Sequence, residues 1–164
     1  VALYFKKYIE DKQLAEVELL DLKAYNFPLF EERFAFLKNP SDKLIEFTEK
    51  FKQADGVLIV SPIYNSSFPA ALKNVMDLYY KEWNRKVAAV VSVTFGATPP
   101  LSTARELQTI LLQLGALVVP NIQAITEASK EFKENGEAIL TERRKKNIDL
   151  FFEDFIWILN SIKD

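Results

Sequence analysis

The chain has neither cysteine nor histidine among its 164 residues. Without cysteine there is no disulfide framework, no thiolate nucleophile and no thiolate zinc site. Without histidine the commonest metal ligand and general base are gone as well. Chemistry carried by a bound organic cofactor gains ground by comparison; no metal site is expected, and the sequence names no catalytic side chain. Long apolar runs are scarce too. The longest clean one is VAAVVSV at Val87 to Val93, far short of the roughly 20 residues needed to span a bilayer. The opening VALYFKKYIEDK mixes charges into its apolar residues, unlike a secretory signal. A soluble cytoplasmic protein without a membrane partner is the expectation. Basic residues are not in excess either: 21 Lys and Arg against 23 Asp and Glu leave a formal charge of −2. With no basic stripe between aromatic residues, electrostatic capture of nucleic acid is not expected.

What is present suits one packed domain. Hydrophobic residues make up 49% of the chain, enough to fill a single core at this length. No repeat or low-complexity linker divides residues 1–164.

Apolar spacing alternates between helix and strand periods. VALYFKKYIEDK places Val1, Tyr4, Phe5 and Tyr8 on one helical face. EVELLDL reads as a strand centred on Glu16 to Leu20, and an irregular aromatic connection with Phe27, Phe30, Phe34 and Phe36 follows. Pro40 and Ser41 open a helix to Ala54 with Leu44, Phe47, Thr48 and Phe51 inward. GVLIVSP is a continuous apolar run bounded by Gly56 and Pro62, the pattern of a parallel strand buried on both faces. Pro69 starts a helix with Leu72, Val75, Met76 and Tyr79 inward, and KVAAVVSV is a second buried strand. A helix around Ser102 to Leu114 follows, with Ala104, Leu107, Leu111 and Leu114 on its stripe and a stop at Gly115. ALVVP is a short third strand. The last helix begins near Thr141 and turns Ile148, Phe151, Phe152, Phe155, Leu159 and Ile162 to one side.

This alternation predicts an open parallel α/β sheet with helices on both faces. In the flavodoxin-like order 2-1-3-4-5 a strand precedes the first helix, lying between the strands of Glu16 to Leu20 and Gly56 to Ser61. The chain begins at Val1 with that helix already under way. The expectation is therefore a native strand and loop upstream of residue 1.

Such sheets bind ligands beyond the carboxyl ends of their strands, where the connections reverse direction. SPIYNSSFPAALKNVMD, Ser61 to Asp77, lies there. Tyr64 offers a plane for stacking a heteroaromatic ring, Asn65 a donor and an acceptor, and successive backbone N–H groups can reach ring carbonyls or nitrogens. Ser66, Ser67 and Pro69 lead into a helix whose N-terminus favours electron-rich groups. The plainer reading of Tyr64 and Asn65 is a turn after a buried strand.

At Pro62, Tyr64, Asn65, Ser67, Phe68, Pro69, Ala70, Leu72, Lys73, Asn74 and Asp77 the sequence resembles the NADPH-dependent FMN reductase family of the flavodoxin-like superfamily. The resemblance runs from FPLF at Phe27 to Phe30, through Ala54, Asp55 and Gly56, to LQLGALVVP and the last helix. Ile63 stands where the family has glutamate, and Ser66 where it has glycine. The resemblance implies an FMN cofactor contacted by Pro62, Ile63, Tyr64, Asn65 and Ser66, with Thr94, Phe95 and Gly96 in SVTFGATPP on the pyrimidine side. It implies NADPH or NADH as hydride donor and a small electron acceptor such as a flavin, quinone, azo compound or metal oxyanion. The family's serine- and arginine-containing phosphate loop has no counterpart in these 164 residues, which again points upstream of Val1. Two other readings of the same features are a flavodoxin-type electron carrier and a flavin-free binding or scaffold descendant.

The phenylalanines between Phe27 and Phe36 read first as loop packing and second as substrate wall. TERRKK is a helix start followed by a solvated face, Lys73 and Asp77 a surface ion pair, and Thr98 to Ser102 a loop and cap. Trp157 and Ile158 add apolar surface outside the inward stripe of the last helix. That surface, with the family's usual assembly, implies a homodimer or homotetramer.

Overall fold

A computed structural model describes residues 1–162. Its centre is a three-stranded parallel sheet in the order β1 (Gly56–Pro62), β2 (Val87–Val93) and β3 (Leu117–Ile125). In β2 the residues Val87 to Val91 are all fully buried. Alternation sends Ala88 and Val90 into one core and Val87, Ala89 and Val91 into the other. The first core is closed by α3 (Asp42–Gln53), α4 (Ala70–Leu78) and α5 (Leu101–Gln113), the second by α1 (Ala2–Asp11) and α7 (Glu142–Ser161). Helices thus cover both faces, as the pattern of buried strands requires.

Local chemistry sets the helix starts. The Ser41 hydroxyl accepts from the Leu44 N–H at 3.3 Å, and the Thr141 hydroxyl accepts from the Arg144 N–H at 3.2 Å. Inward stripes fall where the spacing places them: Leu44, Phe47, Thr48 and Phe51 on α3, and Ile148, Phe151, Phe152, Phe155 and Leu159 on α7. Each buried phenylalanine stabilises the fold by roughly 1.5–3 kcal/mol relative to an exposed one. Ile162 departs from the expected stripe and lies exposed just beyond the end of α7.

The strand expected at Glu16 to Leu20 is absent. Residues 14–21 form no ladder, because a strand exists only beside a neighbour and no strand precedes α1 among the described residues. The segment still behaves as a strand at side-chain level. Val17 packs against the α1/α7 core, Leu20 against the opposite one, and Glu18 pairs with Lys50 of α3 at 2.5 Å. For the same reason β1 is an edge among the described strands and is mostly half-buried rather than buried on both faces. The third strand is longer than ALVVP, running through Pro120 to Ile125 with a register shift opposite Ala88 to Val90. Proline is tolerated there because β3 is an edge strand.

The aromatic connection holds a short helix α2 (Leu22–Tyr25) and a 3-10 turn at Phe34–Phe36. A four-residue helix α6 (Ala128–Glu131) precedes the turn into α7. The TERRKK segment is not simply a solvated face. Arg144 reaches inward to Glu131 at 3.0 Å and to the Ala124 carbonyl at 2.8 Å. Among the described residues no helix is long and apolar enough to cross a membrane.

Candidate functional site

The carboxyl ends of β1 and β2 carry two loops that meet side by side. The Ile63 N–H donates to the Val93 carbonyl at 3.1 Å and so ties the start of the first loop to the end of β2. Tyr64 and Ser67 then close on each other, Tyr64 N–H to Ser67 carbonyl at 2.8 Å and Ser67 N–H to Tyr64 carbonyl at 3.0 Å. Between them Asn65 and Ser66 both have positive φ, 48° and 65°. Two positive φ values inside a closed four-residue turn define a type I′ turn. Asparagine accepts that conformation readily, whereas serine pays about 1 kcal/mol or more for it.

This geometry pushes the turn out into solvent. Tyr64 is 62% exposed, so the plane of its ring is open for stacking. The Asn65 and Ser66 N–H groups have no hydrogen-bond partner among the described residues, and an adjacent pair of such donors suits ring carbonyl or nitrogen acceptors. Pro62 and Ile63 sit half-buried beneath the turn. Phe68 packs into the α3/α4/α5 core, and Pro69 caps α4 without a side-chain hydrogen bond.

The second loop is anchored to β3. The Thr94 N–H donates to the Ile125 carbonyl at 2.8 Å, the Gly96 N–H to the Thr94 hydroxyl at 3.1 Å, and the Ala128 N–H to the Thr94 carbonyl at 3.1 Å. Phe95 is left 81% exposed at its tip. The fold therefore brings the two groups of expected contacts, Pro62 to Ser66 and Thr94 to Gly96, to the same end of the sheet.

Three further residues hold the first of these loops and the neighbouring aromatic connection, and sequence reasoning gave none of them a role. Asn74 of α4 bonds both Pro28 and Phe30, Thr103 of α5 donates to the Ser66 carbonyl at 3.0 Å, and Glu106 accepts from the Ser67 hydroxyl at 3.1 Å. A signal for Thr103 existed. It continues the buried column of Leu107 and Leu111 at four-residue spacing, and a hydroxyl in an apolar stripe needs a partner. The helix also begins one residue earlier than expected, at Leu101, so Ser102 is inside it and Pro100 takes the cap position.

The aromatic connection is divided between two roles. Phe27 and Phe34 pack against the α3/α4/α5 core, whereas Phe30 and Phe36 remain 39% and 65% exposed. Lys73 and Asp77 form the expected surface pair at 2.7 Å. Two cavities lie elsewhere: about 290 Å³ between β3 and α7, and about 350 Å³ beside α1 and Gly136 to Ala138. Neither touches the loops beyond β1 and β2, which form an open face. Among the described residues no cluster of three or more acidic side chains could hold a metal ion.

The fold is that of a flavodoxin-like α/β protein. It superposes on the flavoenzyme NAD(P)H:acceptor oxidoreductase FerB from Paracoccus denitrificans with a TM-score of 0.80, at 20% identity, covering 97% of this chain and 87% of the other. A model of the NADPH-dependent FMN reductase family matches residues 1–131, and the chain belongs to that family. It is 29% identical to an NADH-dependent flavin reductase subunit 2 from Lactobacillus johnsonii over 161 residues, 92% of this chain and 83% of the relative. It is 27% identical to a quinone reductase from Pseudomonas putida over 150 residues, 87% of this chain and 76% of the relative.

Proposed function

We propose that the chain is an FMN-dependent NAD(P)H oxidoreductase in which the Tyr64 to Ser66 turn and the Thr94 to Gly96 loop form the face that receives the isoalloxazine. The observation that carries the reading is the type I′ turn beyond β1, with its exposed Tyr64 ring and two adjacent unpaired N–H donors. These residues fit the flavin's ring end. Bound FMN supplies hydride acceptance from NADPH or NADH and electron delivery to a small acceptor such as a flavin or quinone. The chain's own part is to stack the ring on Tyr64, hold its edge with the Asn65 and Ser66 amides, and bring Phe95 and Thr94 alongside. Orientation of this kind needs no acid or base from histidine or cysteine.

The same proposal includes a cytoplasmic location, where reduced nicotinamide nucleotide is available, and assembly into a homodimer or homotetramer. Ile158, expected to add to this surface, packs instead against the α1/α7 core, but Trp157 on α7 is 70% exposed and Leu150, two turns earlier, 45%, an apolar surface that supports assembly. Gel filtration that gives only a monomer removes the assembly.

The test is to purify the full-length gene product, titrate it with FMN while following the flavin spectrum, and then follow NADPH and NADH oxidation with a quinone. The expected result is FMN uptake and turnover. Failure to take up FMN overturns the reading and favours a flavin-free binding protein. Uptake without nicotinamide oxidation favours an electron carrier.

A further inference from the structure

A threonine inside a helix usually returns its hydroxyl to the carbonyl four residues back. Two threonines of this chain do so: Thr48 donates to the Leu44 carbonyl at 2.6 Å and Thr109 to the Arg105 carbonyl at 2.9 Å. Thr103 does not. It is 1% exposed, stands in the first turn of α5, and donates to the carbonyl of Ser66 at 3.0 Å, 37 positions away in sequence. The accepting residue is the one that holds an unfavourable positive φ.

We infer that Thr103 is a positioning residue of the flavin site, its hydroxyl holding the Tyr64 to Ser67 turn in the form that presents the Asn65 and Ser66 amides outward. The peptide plane between Ser66 and Ser67 is fixed at both ends. Its carbonyl receives the Thr103 hydroxyl, and its N–H bonds the Tyr64 carbonyl. One turn further along α5, Glu106 takes the Ser67 hydroxyl at 3.1 Å, so the helix grips two consecutive residues of the turn. The helix start is itself fixed: Ser92 of β2, fully buried, donates to the Pro100 carbonyl at 3.1 Å. A continuous set of contacts thus runs from the sheet through α5 to the turn, and it joins the two loops of the site. A serine at position 66 lacks glycine's ease at positive φ, so an external hold matters more here than in a turn built on Asn-Gly.

The inference rests on the flavin reading, and the experiment separates the two. Thr103→Val keeps the shape and removes the hydroxyl, while Thr103→Ser keeps the hydroxyl and removes a methyl. Ser66 is itself exposed and the turn keeps its two backbone bonds between Tyr64 and Ser67, so folding is expected to survive. FMN dissociation constants of the full-length protein are measured by flavin fluorescence, together with the visible spectrum of the bound flavin and thermal unfolding without FMN. Thr103→Val is expected to weaken FMN binding about tenfold, as the loss of one hydrogen bond allows, with an altered flavin spectrum and little change in melting. Thr103→Ser is expected to stay within about twofold of the parent, since the hydrogen bond is retained. If the parent binds FMN and Thr103→Val binds it equally with the same spectrum, the inference fails and the flavin reading stands. A loss in Thr103→Ser as large as that expected for Thr103→Val also overturns it, because packing rather than the hydroxyl then matters. If the parent binds no FMN, the flavin reading fails and the inference falls with it.

Discussion

Asn74 uses both ends of its amide on one loop: its Oδ1 accepts from the Phe30 N–H at 2.6 Å while its Nδ2 donates to the Pro28 carbonyl at 2.8 Å. The contact joins α4, the helix that leaves the Tyr64 turn, to the aromatic connection 44 residues earlier. It explains how Leu29 can be 82% exposed on a loop of defined shape. Asn74→Ala removes two hydrogen bonds and is expected to cost about 1–2 kcal/mol. The loop loosens, so limited trypsin digestion should cut at Arg33 much earlier than in the parent. Asn74→Asp should resemble the alanine variant, since a carboxylate cannot donate to the Pro28 carbonyl and repels it. Unchanged cleavage at Arg33 in both variants would refute this.

Tyr64 is exposed, so its replacement should act on binding and not on folding. Tyr64→Ala is expected to weaken FMN affinity about tenfold, the size of a lost aromatic stack. Tyr64→Phe should bind as the parent does. The unfolding free energies of all three flavin-free proteins should agree within the scatter of ordinary surface substitutions, about 0.5 kcal/mol. A large drop in stability for Tyr64→Ala would instead mark the ring as structural.

Alkaline pH should unfold the protein through the buried Tyr79 and the half-buried Tyr8. Tyr79, 1% exposed, is pushed up to about 12 chiefly by burial, and its hydroxyl bonds the Thr48 hydroxyl at 2.8 Å. Tyr8 is pushed up to about 12 as well, by burial first and then by its bond to Asp149. A folded-state value above the unfolded one means that the folded form keeps its proton while the unfolded form loses it. The stability from these groups is complete below pH 10, the ordinary tyrosine value, and is lost as pH rises through about 12. Urea midpoints followed by tryptophan fluorescence should therefore fall steeply across that window. Tyr79→Phe should flatten the fall while leaving the Thr48 hydroxyl its bond to Leu44. A parallel fall in parent and variant would rule out Tyr79 as a source.

Gly56, at the start of β1, is a point of close approach rather than a turn. A Cβ there would stand 2.7 Å from Leu159 Cδ2 and 3.2 Å from the Phe155 ring. Leu159 ends in a mobile methyl, but Phe155 is a buried ring on α7 with little room to move. Gly56→Val is expected to cost about 1–3 kcal/mol, as overpacking does, and Gly56→Ala less. Thermal melts read the difference, and a valine variant as stable as the parent would mean that α7 does not press on β1.

Legibility in the sequence followed the range of the interaction involved. The stripes of α3 and α7 were readable because Leu44, Phe47 and Phe51, or Ile148, Phe151 and Phe155, recur at the helical period over a few turns. β2 was readable because seven consecutive residues avoid charge. Glu16 to Leu20 misled, since its alternation is real but a strand also needs a neighbour to bond. Within the site, Tyr64 and Asn65 stood out by residue type and by position after a strand. The left-handed backbone at Ser66 did not, because serine carries no turn signal of asparagine's or glycine's strength.

The sequence by itself determined the α/β class and most of the helix and strand positions, and it singled out the two loops beyond β1 and β2 as the candidate site. Those properties arise from side-chain periodicity and turn chemistry between residues close together in the chain. Only the tertiary structure decided how the loops are held: Thr103 on Ser66, Glu106 on Ser67, and Asn74 on Pro28 and Phe30. Each of these bonds joins residues about 40 positions apart, 37, 39, 46 and 44 in turn. A hydroxyl, carboxylate or amide gives no local sign of which distant group the packing of α4 and α5 will bring within hydrogen-bond reach of it.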